Sequence, residues 1–554
     1  MRDFLTYLIM KAMIIKGYFD IWQMHSNTRN ARKKNEKLLF KILNINKNSK
    51  IGVKYGFSNI RSVEDYRKAV PTSTFDDYED YILEMVDENK TNILTSLDVV
   101  GYAQSSGSVG SRKIVPLTRP EVNVYTRYTV TRMLAEADSY YRNVLGKKLK
   151  MGRGYNTIPA FSDSLPNGLP NSNIPDIAAK ELGFLYPFIL ITPFTKQFDM
   201  FEIDSKYINM RLGLADRNMM YLFCVFLMNY TDHMRYLEDN WKVIVDDIEK
   251  GTISDLAKAI PETKERLLKY FKPNPDRAKE LRAEFEKGFD ETIMKRIWPN
   301  MSVISGIGTA SFVPFTNIAR RYTKDIPFDF SIYGASEGLF AACDRLESDK
   351  QLLLIDSCYY EFIPVENENV ILSLDELEIG KEYEIIITNQ AGLYRYRCGD
   401  VVKVLDYLND CPYIVFSYRK GQLLSIAGEK TTEAHIAALV KAIEKEADVK
   451  IKDWVVYNDL DDYPYHYVLL LENEEGKDLT IYNEFAHKTL EEINVRYKII
   501  QEIGKIVIRN LKAGSQEEWK TKRISEGTPM TQYKPVRILD SKEKEDFFMS
   551  RIIN

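Results

Sequence analysis

A run of small and hydroxyl-bearing residues at positions 105–113, SSGSVGSRK, has the composition of an anion-binding loop. Small residues let the backbone turn tightly, so several N–H groups can converge on a phosphate, while hydroxyls and cations add donors. The pattern predicts a triphosphate cradle, and a flexible surface turn is the alternative. The common nucleotide-triphosphatase loop does not fit, because Arg112 and Ile114 replace its required Gly and Ser or Thr. The candidate phosphate-binding residues are Ser105, Ser106, Gly107, Ser108 and Gly110.

The second segment is FDFSIYGASEG at residues 328–338, which predicts a strand, a tight turn and then a helix. In one interpretation Glu337 is a carboxylate ligand for Mg²⁺ on ATP, and Tyr333 stacks on a base. In another, residues 334–338 form the G-x-S-x-G nucleophile elbow of a serine hydrolase, with Ser336 as nucleophile and a downstream histidine as base. A plain turn with an exposed serine and glutamate is the structural alternative.

Two further segments carry polar residues next to glycine. In LYRYRCGDVV, residues 393–402, alternation predicts tyrosines on one strand face and arginines on the other. Asp400, after a glycine at the strand's end, can accept hydrogen bonds from ribose hydroxyls, unless it is an ordinary turn aspartate. Residues 416–426, FSYRKGQLLSI, predict either a hinge around Arg419 or a loop before a capped helix.

The helices and strands predicted around these segments indicate an α/β protein. Residues 1–100 are predicted to be mostly helical, with strands at 99–103, 113–117 and 188–191. A helical insertion is predicted over 236–297, and strands alternating with helices follow it. Beyond about residue 419 the pattern predicts a smaller α+β unit. The predicted domains are therefore 1–418 and 419–554.

Composition narrows the function classes. The chain has 554 residues and a net charge of −4 from 76 basic and 80 acidic residues, which argues against nucleic-acid binding. The five cysteines and five histidines are scattered without the spacing of a zinc site or a disulfide framework. The apolar N-terminus is interrupted by Lys11 and predicts an amphipathic helix rather than a signal peptide or a membrane span. We therefore expect a cytoplasmic enzyme.

In combination and order, these motifs resemble the adenylate-forming superfamily of acyl-CoA synthetases, non-ribosomal adenylation domains and luciferases. They resemble more narrowly the auxin-responsive Gretchen Hagen family of acyl-acid amido synthetases. The resemblance also rests on YLEDNW at 236–241, KPNP at 272–275, IWPN at 297–300, LLSI at 423–426 and QYK at 532–534. It implies a large mixed α/β domain that binds ATP and the acyl acid, and a smaller mobile C-terminal domain.

The resemblance also implies roles. Glu337 would ligate Mg²⁺, Asp400 would hold the ribose with help from Arg419, and Lys534 would approach the α-phosphate. The expected nucleotide site further comprises Gly306, Ile307, Gly308, Tyr333, Gly334, Ala335 and Ser336. On the predicted helix 121–134, Arg127 and Arg132 are candidates for the acid's carboxylate. In the motif at the C-terminal end, the proline falls one residue earlier than in plant relatives.

The implied reaction has two steps. A carboxylate attacks the α-phosphorus of ATP and releases pyrophosphate, and the acyl-adenylate then passes its acyl group to an amine, as from an amino acid, releasing AMP. The alternatives are an acyl-CoA ligase or carrier-protein loading enzyme, the serine hydrolase with Ser336, and a binding protein that kept the fold and lost the chemistry.

Overall fold

The computed structural model describes residues 2–104, 114–157, 162–172, 174–191, 202–290, 292–308, 313–420, 422–473, 475–500, 502–525, 535–539 and 541–553. These residues form two compact units, one ending at Tyr418 and the other beginning at Arg419.

Helices and strands alternate through much of the first unit. Its helices are α1 Arg2–Asn27, α2 Ala31–Asn46, α3 Lys50–Lys54, α4 Val63–Ala69, α5 Glu79–Val86, α6 Arg119–Thr126, α7 Arg132–Asn143, α8 Ile174–Glu181, α9 Tyr186–Ile189, α10 Ser205–Ala215, α11 Leu227–Lys250, α12 Pro261–Leu268, α13 Pro275–Phe285, α14 Ile293–Ile297 and α15 Val313–Thr323. Its strands are β1 Val99–Gln104, β2 Ile114–Thr118, β3 Arg153–Asn156, β4 Ser162–Ser164, β5 Pro170–Ser172, β6 Met219–Phe226, β7 Val303–Ile307, β8 Phe328–Asp329, β9 Ile332–Ala335, β10 Gly338–Cys343, β11 Gln351–Leu353, β12 Tyr359–Pro364, β13 Glu382–Thr388, β14 Tyr396–Leu408 and β15 Cys411–Arg419.

The strands of the first unit form three sheets. A four-stranded parallel sheet has the order β3-β6-β7-β8. Its strand β6 has the sequence MMYLFCVF, the continuous apolar run expected of a parallel strand covered on both faces. A second four-stranded sheet has the order β2-β1-β5-β4, and a seven-stranded sheet has the order β12-β13-β14-β15-β11-β10-β9.

The N-terminal segment is part of the seven-stranded sheet's structure. The amide of Ser73 donates to the carbonyl of Arg395 at 3.0 Å, and the amide of Arg397 donates to the carbonyl of Ser73 at 2.8 Å. The hydroxyl of Tyr78 donates to the carbonyl of Tyr394 at 2.8 Å. Residues at the start of β14 are therefore held by chain more than 300 positions earlier.

The second unit is the α+β fold that the sequence predicts beyond residue 419. Its sheet has the order β18-β19-β20, and a two-stranded sheet joins β16 to β17. Its strands are β16 Gln422–Leu424, β17 Thr431–Thr432, β18 Ile451–Asp459, β19 His466–Asn473 and β20 Val507–Leu511, and its helices are α16 Glu433–Ala447, α17 Asn483–Ile493, α18 Val495–Ile499, α19 Ser515–Ser525 and α20 Lys542–Met549. The predicted α/β fold class is confirmed.

Three local predictions were wrong. Residues 188–191 do not form a strand, because Tyr186–Ile189 is helical and a proline in its first turn favours the helix start. The segment after GASEG is not a helix: Gly338–Cys343 is a buried strand paired with β9 and β11, and this pairing overrides local helix propensity. The alternation around Arg395 is broken because that residue has φ +48°, so the tyrosines on either side and Arg395 itself are all buried.

Among the described helices, none combines the length and apolar character needed to cross a bilayer.

Candidate active site

The turn between β9 and β10 holds Glu337 at the edge of the seven-stranded sheet. Its side chain is buried, and Tyr396 on β14 donates its hydroxyl to Oε1 at 3.4 Å. The side-chain amide of Asn389 donates to the backbone carbonyl of Glu337 at 2.8 Å, which fixes the turn itself. The hairpin replaces the strand-turn-helix that a nucleophile elbow requires, so the structural context predicted for Ser336 as a hydrolase nucleophile was wrong.

A second contact joins the same hairpin to β14. The hydroxyl of Tyr333, on β9, donates to Oδ2 of Asp400 at 2.9 Å, and both side chains are buried. The Tyr333 ring packs against Phe340 and Phe416, with centroid distances of 5.2 and 5.6 Å. Two predicted motifs, far apart in sequence, are thus brought into hydrogen-bonding contact.

The end of β7 borders the same cavity as this hairpin. Gly306 and Gly308 are needed by packing, because a Cβ at either position would overlap Cys224 or Leu227. The hydroxyl of Thr316 on α15 donates to the carbonyl of Gly308 at 2.7 Å. Ile307, between the two glycines, lines the same cavity as the hairpin turn.

This cavity has a volume of about 270 Å³ and its described lining is mostly apolar. Four turn residues, Gly334, Ala335, Ser336 and Gly338, form one side. The other side comes from β1, β2, α6, α8 and β6, and includes Ala103, Leu117, Tyr125, Ile174, Pro175, Phe223 and Val225. No lysine or arginine is found among the described residues that line it. The described lining thus offers a mostly apolar space, without cationic side chains, directly beside the turn that carries Glu337.

A second, smaller cavity of about 60 Å³ adjoins the first. The two share Tyr125, Pro175 and Phe223 as lining residues, and the second continues among side chains such as Met13 and Leu182. We call them the turn cavity and the inner cavity. Sequence reasoning missed both, since their lining comes from elements scattered along more than 300 residues.

Glu121 is the acidic side chain that lines the turn cavity. Its Oε2 accepts hydrogen bonds from the amide and hydroxyl of Thr118 at 2.9 and 3.1 Å, which caps α6. Burial disfavours the ionised form and raises the pKa of Glu121 to about 7. The T-x-x-E spacing of Thr118 and Glu121 is typical of a helix capping box, so this residue could have been identified from the sequence.

The two arginines predicted to bind the acid have carboxylate partners within the protein. Arg132 is fully buried and its Nη2 donates to both oxygens of Asp329 at 2.8 Å. Arg127, in a π-helical turn between α6 and α7, donates to Asp356 at 2.9 Å and lies 3.7 Å from Asp20. Neither arginine lines either cavity. These contacts are those of structural ion pairs.

Several predicted site residues lie outside the described part of the chain. They are Ser105, Ser106, Gly107, Ser108, Gly110 and Lys534. Arg419 is described and is the first residue of the second unit, at the end of β15.

The carboxylates suit a magnesium ion that arrives on a nucleotide. Within the described residues, no cluster of three or more His, Cys, Asp or Glu side chains forms a metal cage. Mg²⁺ is usually held by one or two carboxylates, water and substrate phosphates rather than by such a cage. One buried carboxylate, Glu337, beside an open cavity fits that pattern.

Comparison with protein families decides the identity. A GH3 family N-terminal domain matches residues 20–328, a GH3 central domain matches 351–419, and a GH3 C-terminal domain matches 434–543. This chain belongs to the GH3 family. The resemblance to Gretchen Hagen enzymes stated from the motifs is thereby confirmed.

Relatives of this GH3 chain match over nearly its whole length. It is 28% identical to an indole-3-acetic acid-amido synthetase of Oryza sativa subsp. indica, over 95% of this chain and 91% of that protein. It is 26% identical to one from Arabidopsis thaliana, over 95% and 92%. A solved acyl acid amido synthetase in complex with 2,4-DB has the same fold, with a TM-score of 0.64, 23% identity and coverage of 97% and 96%.

The predicted enzyme class is confirmed for this GH3 chain: it is an ATP-dependent ligase that forms an acyl-adenylate and then an amide.

Proposed function

We propose that this enzyme adenylates an apolar carboxylic acid in the turn cavity and transfers the acyl group to an amino acid. The observation that carries the proposal is one hairpin, β9–β10. It carries Glu337 and Tyr333, the hydroxyl of Tyr333 donates to Asp400 on β14, and the turn forms a wall of the apolar cavity. Nucleotide and acid would therefore meet at this turn.

The nucleotide would be held from several directions. Asp400 would accept hydrogen bonds from the ribose hydroxyls, with Tyr333 orienting its carboxylate. Gly306, Ile307 and Gly308 would border the adenine, and the residues of the loop 105–110 would donate N–H and hydroxyl groups to the phosphates. Arg419 would assist Asp400 at the ribose.

Glu337 would hold the magnesium ion that accompanies ATP, and Tyr396 would orient its carboxylate. When bound, the ion neutralises phosphate charge and so lowers the repulsion between ATP and the anionic acid. Alignment of the acid's oxygen with the α-phosphorus supplies the rest of the rate gain, and the bond to pyrophosphate breaks as the new P–O bond forms.

The acid is proposed to be an aryl, indolyl or similarly apolar one. The turn and inner cavities adjoin each other and are lined mainly by aliphatic and aromatic side chains. Glu121 has a pKa near 7, so much of it is uncharged at neutral pH and it repels an anionic ligand less than an ordinary glutamate would. Indole-3-acetic acid, named for the plant relatives, belongs to this class.

Lys534 is proposed to act in the first half-reaction alone, with the domain from residue 419 onward changing position before the amine attacks. The amine nitrogen then attacks the acyl carbon, loses a proton, and AMP leaves. Lys534→Ala should abolish adenylation while sparing attack on a pre-made acyl-adenylate. Equal loss of both half-reactions would contradict this division. We also propose a cytoplasmic location, where ATP and amino acids are supplied.

The test is acid-dependent exchange between ATP and labelled pyrophosphate, with pools of aryl, indolyl and aliphatic acids. We expect exchange with the apolar pools and a loss of at least about 100-fold in Glu337→Ala, because an aligned electrostatic group at the transition state is lost. The matched control is Glu366→Ala, an exposed glutamate on the same unit, which should exchange normally.

The second half-reaction is then read by adding acceptors. Consumption of the adenylate by amino acids, with an amide product, supports the proposal, whereas consumption by coenzyme A thiol alone would favour the acyl-CoA ligase. Exchange that needs no acid, or that survives in Glu337→Ala, would contradict the assigned site.

A further inference from the structure

Helix α1 carries an apolar stripe on its exposed face, formed by Phe4, Leu8, Ile15, Phe19 and Trp22. At about 100° per residue these positions fall within an arc of about 60°, and they extend about 27 Å along the helix. Their exposures are high: 70% for Ile15, 64% for Phe4, 62% for Trp22 and 58% for Phe19. An exposed apolar face of this size marks an interaction surface rather than ordinary surface scatter.

The opposite face of α1 packs against the rest of the first unit, so the helix cannot rotate about its axis to bury the stripe. Met10 and Ile14 lie in a core with residues of α7. Gly17 sits so close to Thr131 that a Cβ would overlap its carbonyl group. The hydroxyl of Tyr18 donates to Asp138 at 2.9 Å. The stripe is therefore a fixed feature, and most of it precedes residue 20, where the GH3 match begins.

Contacts along α1 and α7 show that the two helices run antiparallel. Asp20 accepts from Thr131 at 2.7 Å, whereas Tyr18 reaches Asp138 further along α7. The C-terminal end of α7 and the segment after it therefore lie toward the N-terminal half of α1. Exposed Lys147 and Lys148 are found there, together with Arg142, which pairs with Asp138 at 2.7 Å.

The other end of the stripe is basic as well. Arg29 and Lys33 are exposed and follow Trp22 within 11 residues, where the chain turns into α2. Lys16 flanks the middle but pairs with Asp20 at 2.6 Å, so the unpaired positive charge lies toward the ends of the stripe. Two stripes from two copies of the chain would bring basic ends together in either a parallel or an antiparallel pairing. Such like-charge contacts disfavour a second copy as the occupant.

We propose that this stripe docks on the surface of an anionic lipid bilayer. Apolar and aromatic side chains on one helix face enter the boundary between headgroups and acyl chains, and flanking cations attract anionic headgroups. Trp22 has the amphipathic ring that favours this boundary. The enzyme is then a peripheral membrane protein that lies on the bilayer without spanning it.

The test is flotation of the full-length protein with two kinds of vesicle, pure phosphatidylcholine and phosphatidylcholine containing one-third phosphatidylglycerol. We expect binding to the anionic vesicles, weakened by high salt, and little binding to the neutral ones. Trp22 fluorescence should shift to the blue on binding, since Trp298, Trp454 and Trp519 are already buried and Trp241 is partly buried against a core of the first unit.

Two double variants distinguish membrane binding through the stripe from a general effect of added surface charge. Ile15→Glu with Phe19→Glu should reduce binding by about tenfold to a hundredfold, because two apolar anchors are lost and two anionic charges are added. The matched control is Val53→Glu with Ile379→Glu, which alters two apolar residues, 68% and 61% exposed, elsewhere on the same unit. That variant adds the same charge and should keep binding.

The outcomes are distinct. Anionic-vesicle binding that is lost in the stripe variant and kept in the control supports the proposal. Absence of vesicle binding, or equal loss in both variants, overturns it. Sedimentation that shows a dimer in the wild type but a monomer in the stripe variant also overturns it, because a second copy would then cover the stripe. Adenylation activity should be unchanged in both variants, which also confirms folding.

Discussion

The contact between Tyr333 and Asp400 makes a quantitative prediction about ATP binding. If Asp400 holds the ribose, Asp400→Ala removes a charged acceptor, and hydrogen bonds to charged groups contribute about 1.5–3 kcal/mol. The dissociation constant for ATP should then rise by about 10- to 100-fold.

Tyr333→Phe should have a smaller effect of the same kind. It keeps the ring packing against Phe340 and Phe416 but removes the hydroxyl that donates to Asp400 at 2.9 Å. A lost orienting hydrogen bond of about 1 kcal/mol corresponds to a roughly fivefold weaker affinity. Because the hydroxyl acts through the carboxylate, the double variant should bind ATP about as weakly as Asp400→Ala alone.

The assay is calorimetric titration with a non-hydrolysable ATP analogue, with the melting temperature of each variant as the folding check. Tyr360→Phe is the matched control. Tyr360 is equally buried on the same sheet, but its hydroxyl donates to the carbonyls of Phe340 and Leu354. It should lose stability without losing ATP affinity.

Two results would contradict the role assigned to Asp400. One is an Asp400→Ala protein that is folded and binds the analogue like the wild type. The other is a Tyr333→Phe effect that is as large in the Asp400→Ala background as in the wild type, since the tyrosine would then act independently of the aspartate.

Three further predictions follow from buried groups and from the cavity. Arg132→Leu should lower the free energy of unfolding by about 3–5 kcal/mol by leaving Asp329 unpaired, and adding Asp329→Leu should recover much of it in denaturant titrations. Val225→Phe, which adds bulk to the turn cavity, should raise KM for aryl acids about 10- to 100-fold with little change for short aliphatic acids or ATP, measured by pyrophosphate exchange. Burial raises the pKa of Glu429 from 4.5 to about 7 in the folded chain. As the pH rises, the Glu429 carboxyl of the unfolded chain ionises before that of the folded chain. The contribution of Glu429 to the free energy of unfolding is therefore complete below about pH 4.5 and is lost as the pH rises to about 7. Relative to Glu429→Gln, the wild type should lose about 3 kcal/mol over that range, and a pH-independent difference between the two would contradict the assignment.

The sequence was most informative where chemistry depends on local order. The GASEG turn, the Gly-Asp step at residue 400 and the α+β unit beyond 419 all follow from residues that are close together in the chain. The β10 strand was missed because its sequence, GLFAAC, has no alternation, and its strand form depends on β9 and β11 as neighbours.

The remaining features depend on contacts that no short window contains. Tyr333 and Asp400 are 67 positions apart, and the ion pair of Arg132 with Asp329 spans 197. The α1 helix was predicted from its apolar residues, but which face would be buried depends on α7. The cavities result from packing among many elements, so their lining could not be predicted.

The pairing of Ser73 with the start of β14 has a consequence for folding during synthesis. Ser73 bonds to a residue 321 positions later. At about 5–20 residues per second, a ribosome needs roughly 15–60 seconds to reach it. During that interval the helical N-terminal segment has left the ribosome without the sheet that covers its apolar side chains. During synthesis the first unit should therefore depend on chaperones that bind unfolded chains. Chains truncated before residue 397 should remain susceptible to proteolysis.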